Sequence, residues 1–293
     1  MNDFQSLNAK FNNISDIPNK AMEQKNIIDI DYDFDELKMY FGEDYWVTDK
    51  ICIKCPTIGD ILEYGDSDFY SMVNTICANP TTFRLSLWKK GIDWNKISDY
   101  ELFIKLIRIY TPKETSLLFG NLNFSWFVPF YKEENNSTVL INIPRDSEGN
   151  PVPFDANEVP IIDEISYMRL VKYIRTMFNL NPKIEHAKNK ATKEAIIWED
   201  EQNLQLEEKK RKENGKQSKS FLLPLISAMV NHPGFKYKLQ ELKDVNIIQF
   251  MDSVQRLQLY ENTTALLKGI YSGMVDSSKI KQKDLNWLKD LND

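Results

Sequence analysis

The sequence predicts an α+β protein: a mixed N-terminal domain with a β-hairpin, followed by a predominantly α-helical C-terminal region. Three observations predict it. Within residues 122–143 two strand-like runs, NFSWFVPFY and STVLINI, flank the polar turn KEENN. Residues 67–119 and 162–178 carry apolar side chains at helical spacing. From Ser220 to Leu291 that spacing recurs with only short breaks, and nothing in this last third could do chemistry by itself. Such a block is built to pack, on its own domain or on another protein.

Composition supports a real core. The chain has 293 residues, 42% hydrophobic and 12% aromatic, enough for one large domain or two smaller ones. With only 10 glycines, phosphate-cradling Gly-rich loops are disfavoured. The net charge of −6 sits in the N-terminal segment: residues 1–50 hold 11 Asp/Glu against 5 Lys/Arg, and the other 243 residues hold 32 of each. A neutral body with an acidic arm is a poor general nucleic-acid binder, because phosphate neutralisation needs clustered Lys and Arg. No apolar run reaches 18 residues, so no membrane span is expected. The first residues, MNDFQSLNAKFNNISDIPNK, lack the basic start and apolar run of a secretory signal. Three cysteines do not make a disulfide framework, and a reducing compartment is the expectation.

The elements follow in chain order. Residues 1–26 read as a loose tail. Ile28, Ile30, Tyr32 and Phe34 alternate with Asp29, Asp31, Asp33 and Asp35, the period of a strand with one buried face. Val47 to Cys55 suits another strand, broken at Pro56. Thr57 with Asp60 forms a capping box for a short helix ending near Gly65. Helices are expected over Asp68–Ala78, Pro80–Lys90 and Asp99–Tyr110, the third capped by Ser98 or Asp99 and striped by Leu102, Phe103, Leu106 and Ile107. A further short helix runs over Glu114–Phe119. In the hairpin, Pro129 points to an edge strand or a bulge. Residues 144–160, with four prolines, form a loop or boundary. A helix over Ile162–Phe178 follows, ended by Asn179-Leu180-Asn181-Pro182. Residues 183–219 read as a solvent-facing helix ending near Asn214-Gly215, then a charged hinge. In the last block, Ser220 caps a helix with Leu223, Leu225, Ile226 and Met229, stopped by His232-Pro233-Gly234. A long helix spans Asn246–Tyr271, with Ile247, Phe250, Met251, Val254 and Leu257 as its inner stripe and Gly273 as its stop. A final helix is expected over Asp284–Leu291. The boundaries are therefore a tail at 1–26, a mixed domain at 27–160, helices and hinge at 161–219, and a helical region at 220–293.

Few constellations point to chemistry. Cys52 and Cys55 form a CxxC, but a redox pair needs its first thiol at a helix N-terminus, and these lie in or beside a strand. Zinc would need two more ligands, and only Cys77, His186 and His232 remain, none a second close pair. The small-apolar-residue reading is favoured. The Asp29–Asp35 run resembles part of a calcium loop, yet Phe34 and Tyr40 stand where Gly and Glu are required. His232 fits a turn and His186 a charged surface. No GxSxG, GxxxxGK[ST] or HExxH occurs. Trp46, Trp88, Trp94, Trp126, Phe127 and Phe130 could stack on bases, but without interleaved basic clusters core packing is favoured.

The phrases LLPLISAMVNHPGFKYKLQEL, FMDSVQRLQ, LLKGIYSGMVDSSKI and LNWLKDL, with CPTIGDILEYG earlier, resemble tail morphogenesis proteins of tailed bacteriophages of low-GC Gram-positive hosts. They are phrases of a helical scaffold, so no catalytic or cofactor-binding residue comes with the likeness. The resemblance implies a non-enzymatic role without cofactors or metals, in the host cytoplasm during assembly or in the virion. It also implies partners among other phage tail proteins, with the tape-measure protein as the candidate, and it permits self-association. Two readings stay open: a tail assembly chaperone, and a structural component of the tail or baseplate. A redox enzyme at Cys52 and Cys55 ranks third. Tyr260, Leu267, Tyr271 and Trp287 are the candidate protein-interaction residues, because the distal end of the long helix is less regular than its inner stripe.

Overall fold

A computed structural model describes residues 34–107, 112–132, 137–155, 158–213 and 220–291. Asp29, Asp31 and Asp33 lie outside the described residues, as do the tip of the hairpin and residues 214–219. The architecture is α+β, with two small antiparallel sheets among helices.

The chain enters through Phe34, which stands edge-on to Tyr173 at 5.2 Å. Asp35 is not the end of a strand. Its carboxylate accepts from the amides of Leu37 and Lys38 and caps α1, Glu36–Tyr40. The run expected as one strand is two, β1 (Tyr45–Thr48) and β2 (Ile51–Ile53), paired antiparallel. Thr48 explains the break: its hydroxyl oxygen accepts from the amides of Lys50 and Ile51 and folds the chain back. Helix α2, Ile58–Tyr64, carries the expected capping box of Thr57 and Asp60. It ends at Gly65, whose φ of 102° is open to glycine.

Helix α3 (Asp66–Ile76) buries Phe69, Met72, Val73 and Ile76. The next helix, α4, covers only Arg84–Lys89. It starts later than expected because Asn79 holds residues 79–82 in a turn, its side-chain oxygen accepting from Thr82. Helix α5, Asp99–Leu106, has the capping box of Ser98 and Glu101, and α6 runs over Pro112–Phe119.

The hairpin pairs β3 (Phe127–Lys132) with β4 (Ser137–Asn142) in register, Phe127 opposite Asn142. Pro129 lies on β3, the edge of a sheet ordered β3-β4-β5, where a missing N–H costs no ladder bond. The short β5, Ile161–Ile162, replaces the expected first turn of the following helix. That helix, α7 (Glu164–Met177), has a capping box of Asp163 and Ser166 and threads the core with Tyr167, Leu170, Val171 and Ile174 buried. Tyr100 ties α5 to the sheet by donating to the Ile162 carbonyl at 2.8 Å.

Residues 183–189 are irregular, not helical, with a bend at 188–189. The Lys183, Glu185 and Ala187 carbonyls accept from Asn79, Trp94 and Asn95. Helix α8, Lys190–Glu213, then docks its first half on α4. Arg84 forks onto Asp200 and also reaches Glu185, and Ile197 is buried beside Trp94 and Leu87 in a small second core.

The main core is continuous from Met39 to Phe250. Of the aromatic group singled out in the sequence, Trp94 and Phe127 are buried and Trp88 and Trp126 partly so. Trp46 and Phe130 are exposed, Trp46 at 61%.

Candidate protein-interaction surface

The C-terminal elements are set by a backbone clamp. The amide of Ile58 donates to the Val245 carbonyl at 2.9 Å, and the amide of Ile247 donates to the Pro56 carbonyl at 3.0 Å. CPTIGD and KDVNII, nearly 190 residues apart, are thus neighbours. Gly59 is required there: a Cβ would stand 2.8 Å from the Lys243 carbonyl oxygen.

Helix α9 (Leu222–Val230) is anchored at its start by Asp66, whose carboxylate accepts from the Ser220 hydroxyl at 2.7 Å and the Leu222 amide at 3.1 Å. Burial by itself would raise the Asp66 pKa. The Ser220 hydroxyl and the amides of Leu222, Phe221 and Ser67 outweigh it and hold the carboxyl below its ordinary value. The turn at His232-Pro233-Gly234 follows as expected. His232 accepts from the Gly234 amide through Nδ1, and its Nε2 lies 3.4 Å from Glu261.

Helix α10 spans Ile247–Tyr271, with Asn246 as N-cap. The Asn246 side-chain oxygen accepts from Gln249 and its amide donates to the Tyr40 carbonyl. Ile247 and Phe250 are fully buried, and Met251, Val254 and Leu257 pack partly buried on the same core. The inner stripe is as the sequence predicts.

Beyond Leu257 the helix leaves the core. Tyr260, Leu267 and Tyr271 are spaced i, i+7, i+11, so they share one side. Trp287 covers only the near end of that side, its ring edge-on to Tyr260 at 5.6 Å. Leu267 is half-buried and Tyr271 is 84% exposed. The structure therefore brings Tyr260 and Trp287 together and leaves Tyr271 uncovered. Two further apolar residues near this end of the chain are exposed: Met274, at 87%, and Leu288, next to Trp287 in sequence. Glycines set Met274 out. Gly273 has a φ of 72°, and the amides of Met274 and Val275 both donate back to the Gly269 carbonyl. The glycine pair after a helical stripe was the available signal.

The expected final helix over Asp284–Leu291 is not formed. A 3₁₀ turn covers Gln282–Leu285, and Asn286 then turns extended, its side chain accepting from the Leu288 amide. Arg256 captures the freed carbonyls of Trp287 and Lys289, at 3.3 and 2.5 Å. These local bonds outcompete a helix of this length. The segment lies across α10 and leaves an open groove of about 590 Å³ lined by Leu259, Thr263, Leu266 and Val275.

The thiols are unsuited to nucleophilic work. Burial, then the Asp44 carboxylate, pushes Cys52 up to about 11. Burial also pushes Cys55 and Cys77 up to about 12. All three are protonated at neutral pH. His186 is exposed. Among the described residues no group of three or more His, Cys, Asp or Glu is placed to hold a metal ion, and no helix is long and apolar enough to cross a membrane.

No curated protein and no solved structure matches the chain. Residues 211–292, which hold this whole surface, match the family model described as the YomV second domain. YomV is a phage-region protein of Bacillus, so the C-terminal region is similar to a phage-encoded domain, and that likeness suggests a phage-associated protein.

Proposed function

We propose that this protein is a non-enzymatic bacteriophage morphogenesis factor, a tail assembly chaperone that holds an unassembled tail protein on the distal side of α10. The observation that carries the reading is the apolar side of Tyr260, Leu267 and Tyr271, with Trp287 against its near end, within the stretch similar to a phage domain. Exposed apolar side chains grouped at one end of a helix mark a binding surface or an aggregation liability. A helical partner with its own apolar stripe, such as a tape-measure segment, is the complement that such a side accepts.

The test is co-expression with the tape-measure protein encoded in the same phage genome. A chaperone keeps that protein soluble and is missing from finished particles by mass spectrometry. No effect on its solubility would sink the proposal. Presence in purified virions at a fixed stoichiometry would turn it into the structural reading, a tail or baseplate component.

A further inference from the structure

Helix α8 outgrows the fold. Among the described residues its last ion pairs with the body are Asp200 with Arg84 and Glu201 with Lys89. Residues 203–210 and Lys212 are all exposed. A helix with water on every side is marginal, and exposed i, i+4 pairs such as Glu208 with Lys212 add little to it. The exposed part is also not simply polar: Trp198, at 64%, Leu204 and Leu206 are all exposed.

At 100° per residue, Trp198, Gln202, Leu206 and Lys209 share one side of α8. Glu199 and Lys210 lie together on one rim of that side, and Trp198 and Lys209 on the other. Leu204 falls elsewhere and continues the line of Ile197. The side is turned away from the body, since Ile197 is buried where its neighbour Trp198 is open.

We propose that this side is a self-complementary dimer contact, in which α8 of one copy packs antiparallel on α8 of a second. In a two-fold antiparallel pair, residues on the same rim meet. With the axis at residue 204, Glu199 comes within one residue of level with Lys210 of the second copy on one rim. Trp198 meets the stem and charge of Lys209 on the other, a cation–π arrangement. Gln202 and Leu206 close the seam between them. A parallel pair would bring opposite rims together, with Glu199 beside Trp198 and Lys210 beside Lys209 of the second copy; it makes no charge pair and sets two lysines face to face, so the charge order selects the antiparallel partner. The overlap is short, which places the contact among weak, concentration-dependent interfaces.

Sedimentation equilibrium of the full chain at low salt, over a range of concentrations, tests this. Wild type is expected to show a reversible monomer–dimer equilibrium. Glu199→Lys and Lys210→Glu are each expected to weaken it by about tenfold or more, because each puts like charges face to face. The double variant Glu199→Lys/Lys210→Glu is expected to return within about threefold of wild type, a recovery that only cross-paired charges give. Leu206→Asp, exposed and neutral to folding, is expected to abolish the dimer. A monomer at every concentration overturns the proposal. So does a dimer indifferent to both single reversals, or a double variant that stays as weak as the singles.

Discussion

Phe250 and Leu267 stand five turns apart on the same helix and answer to different demands. Phe250 is fully buried, with Phe235 edge-on at 6.4 Å. Replacing it by Ala is expected to cost about 3–5 kcal/mol, read as a drop in the urea midpoint. Leu267 is half-buried and belongs to neither core cluster, and Leu267→Asp is expected to shift that midpoint by no more than about 1 kcal/mol. Asp66 carries a pH dependence. Its folded pKa is lowered, so its clasp on Ser220 and Leu222 adds stability above the ordinary aspartate range and loses it as pH falls through the folded value. The protection of α9 amides, corrected for the intrinsic pH dependence of exchange, is expected to fall on acidification in wild type, and Asp66→Asn is expected to remove that acid step. These residues differ in legibility. The burial of Phe250 followed from its spacing with Ile247 and Val254. The Asp66 clasp spans more than 150 residues, and no local pattern announces it.

At the scale of elements, local chemistry decided what the sequence could reveal. Capping boxes at Thr57 and Ser98 are short-range hydrogen bonds, and each marks a helix start where the residues imply one; the box of Asp163 and Ser166 starts its helix two residues later than expected. Thr57→Ala is expected to cost about 1 kcal/mol in thermal unfolding. The hairpin at 127–142 was equally legible from the change of period, and the missing N–H of Pro129 narrowed its place to an edge strand or a bulge, of which the structure has the edge. Three of the failures share one cause. Thr48, Asn79 and Asn286 each divert backbone amides into side-chain turns, so a continuous strand or helix pattern is cut where periodicity alone sees none. The segment at 284–291 shows the second cause, a tertiary partner: Arg256 takes carbonyls that a helix would have used.

For the whole molecule, the backbone clamp between residues 56–58 and 245–247 joins the mixed N-terminal elements to the C-terminal helices in one core. Gly59→Ala pushes a Cβ against the Lys243 carbonyl and is expected to lower the stability of both ends together, with fluorescence and circular dichroism transitions still coincident. That core holds the base of α10 rigid and presents its far end outward. The apolar density of the last third was legible from the start, but its division was not. The near half of α10 belongs to the fold, and the far half leaves Tyr271 exposed beyond the Tyr260–Trp287 ring contact, which is where we propose that a partner binds. The measurement that tests this account most directly is co-purification of the tape-measure protein with wild type, Leu267→Asp and Tyr271→Asp, each checked for an unchanged unfolding midpoint. The account predicts that wild type retains the tape-measure protein and that both variants, still folded, lose at least about tenfold in binding. Retention by both folded variants at the wild-type level would contradict it.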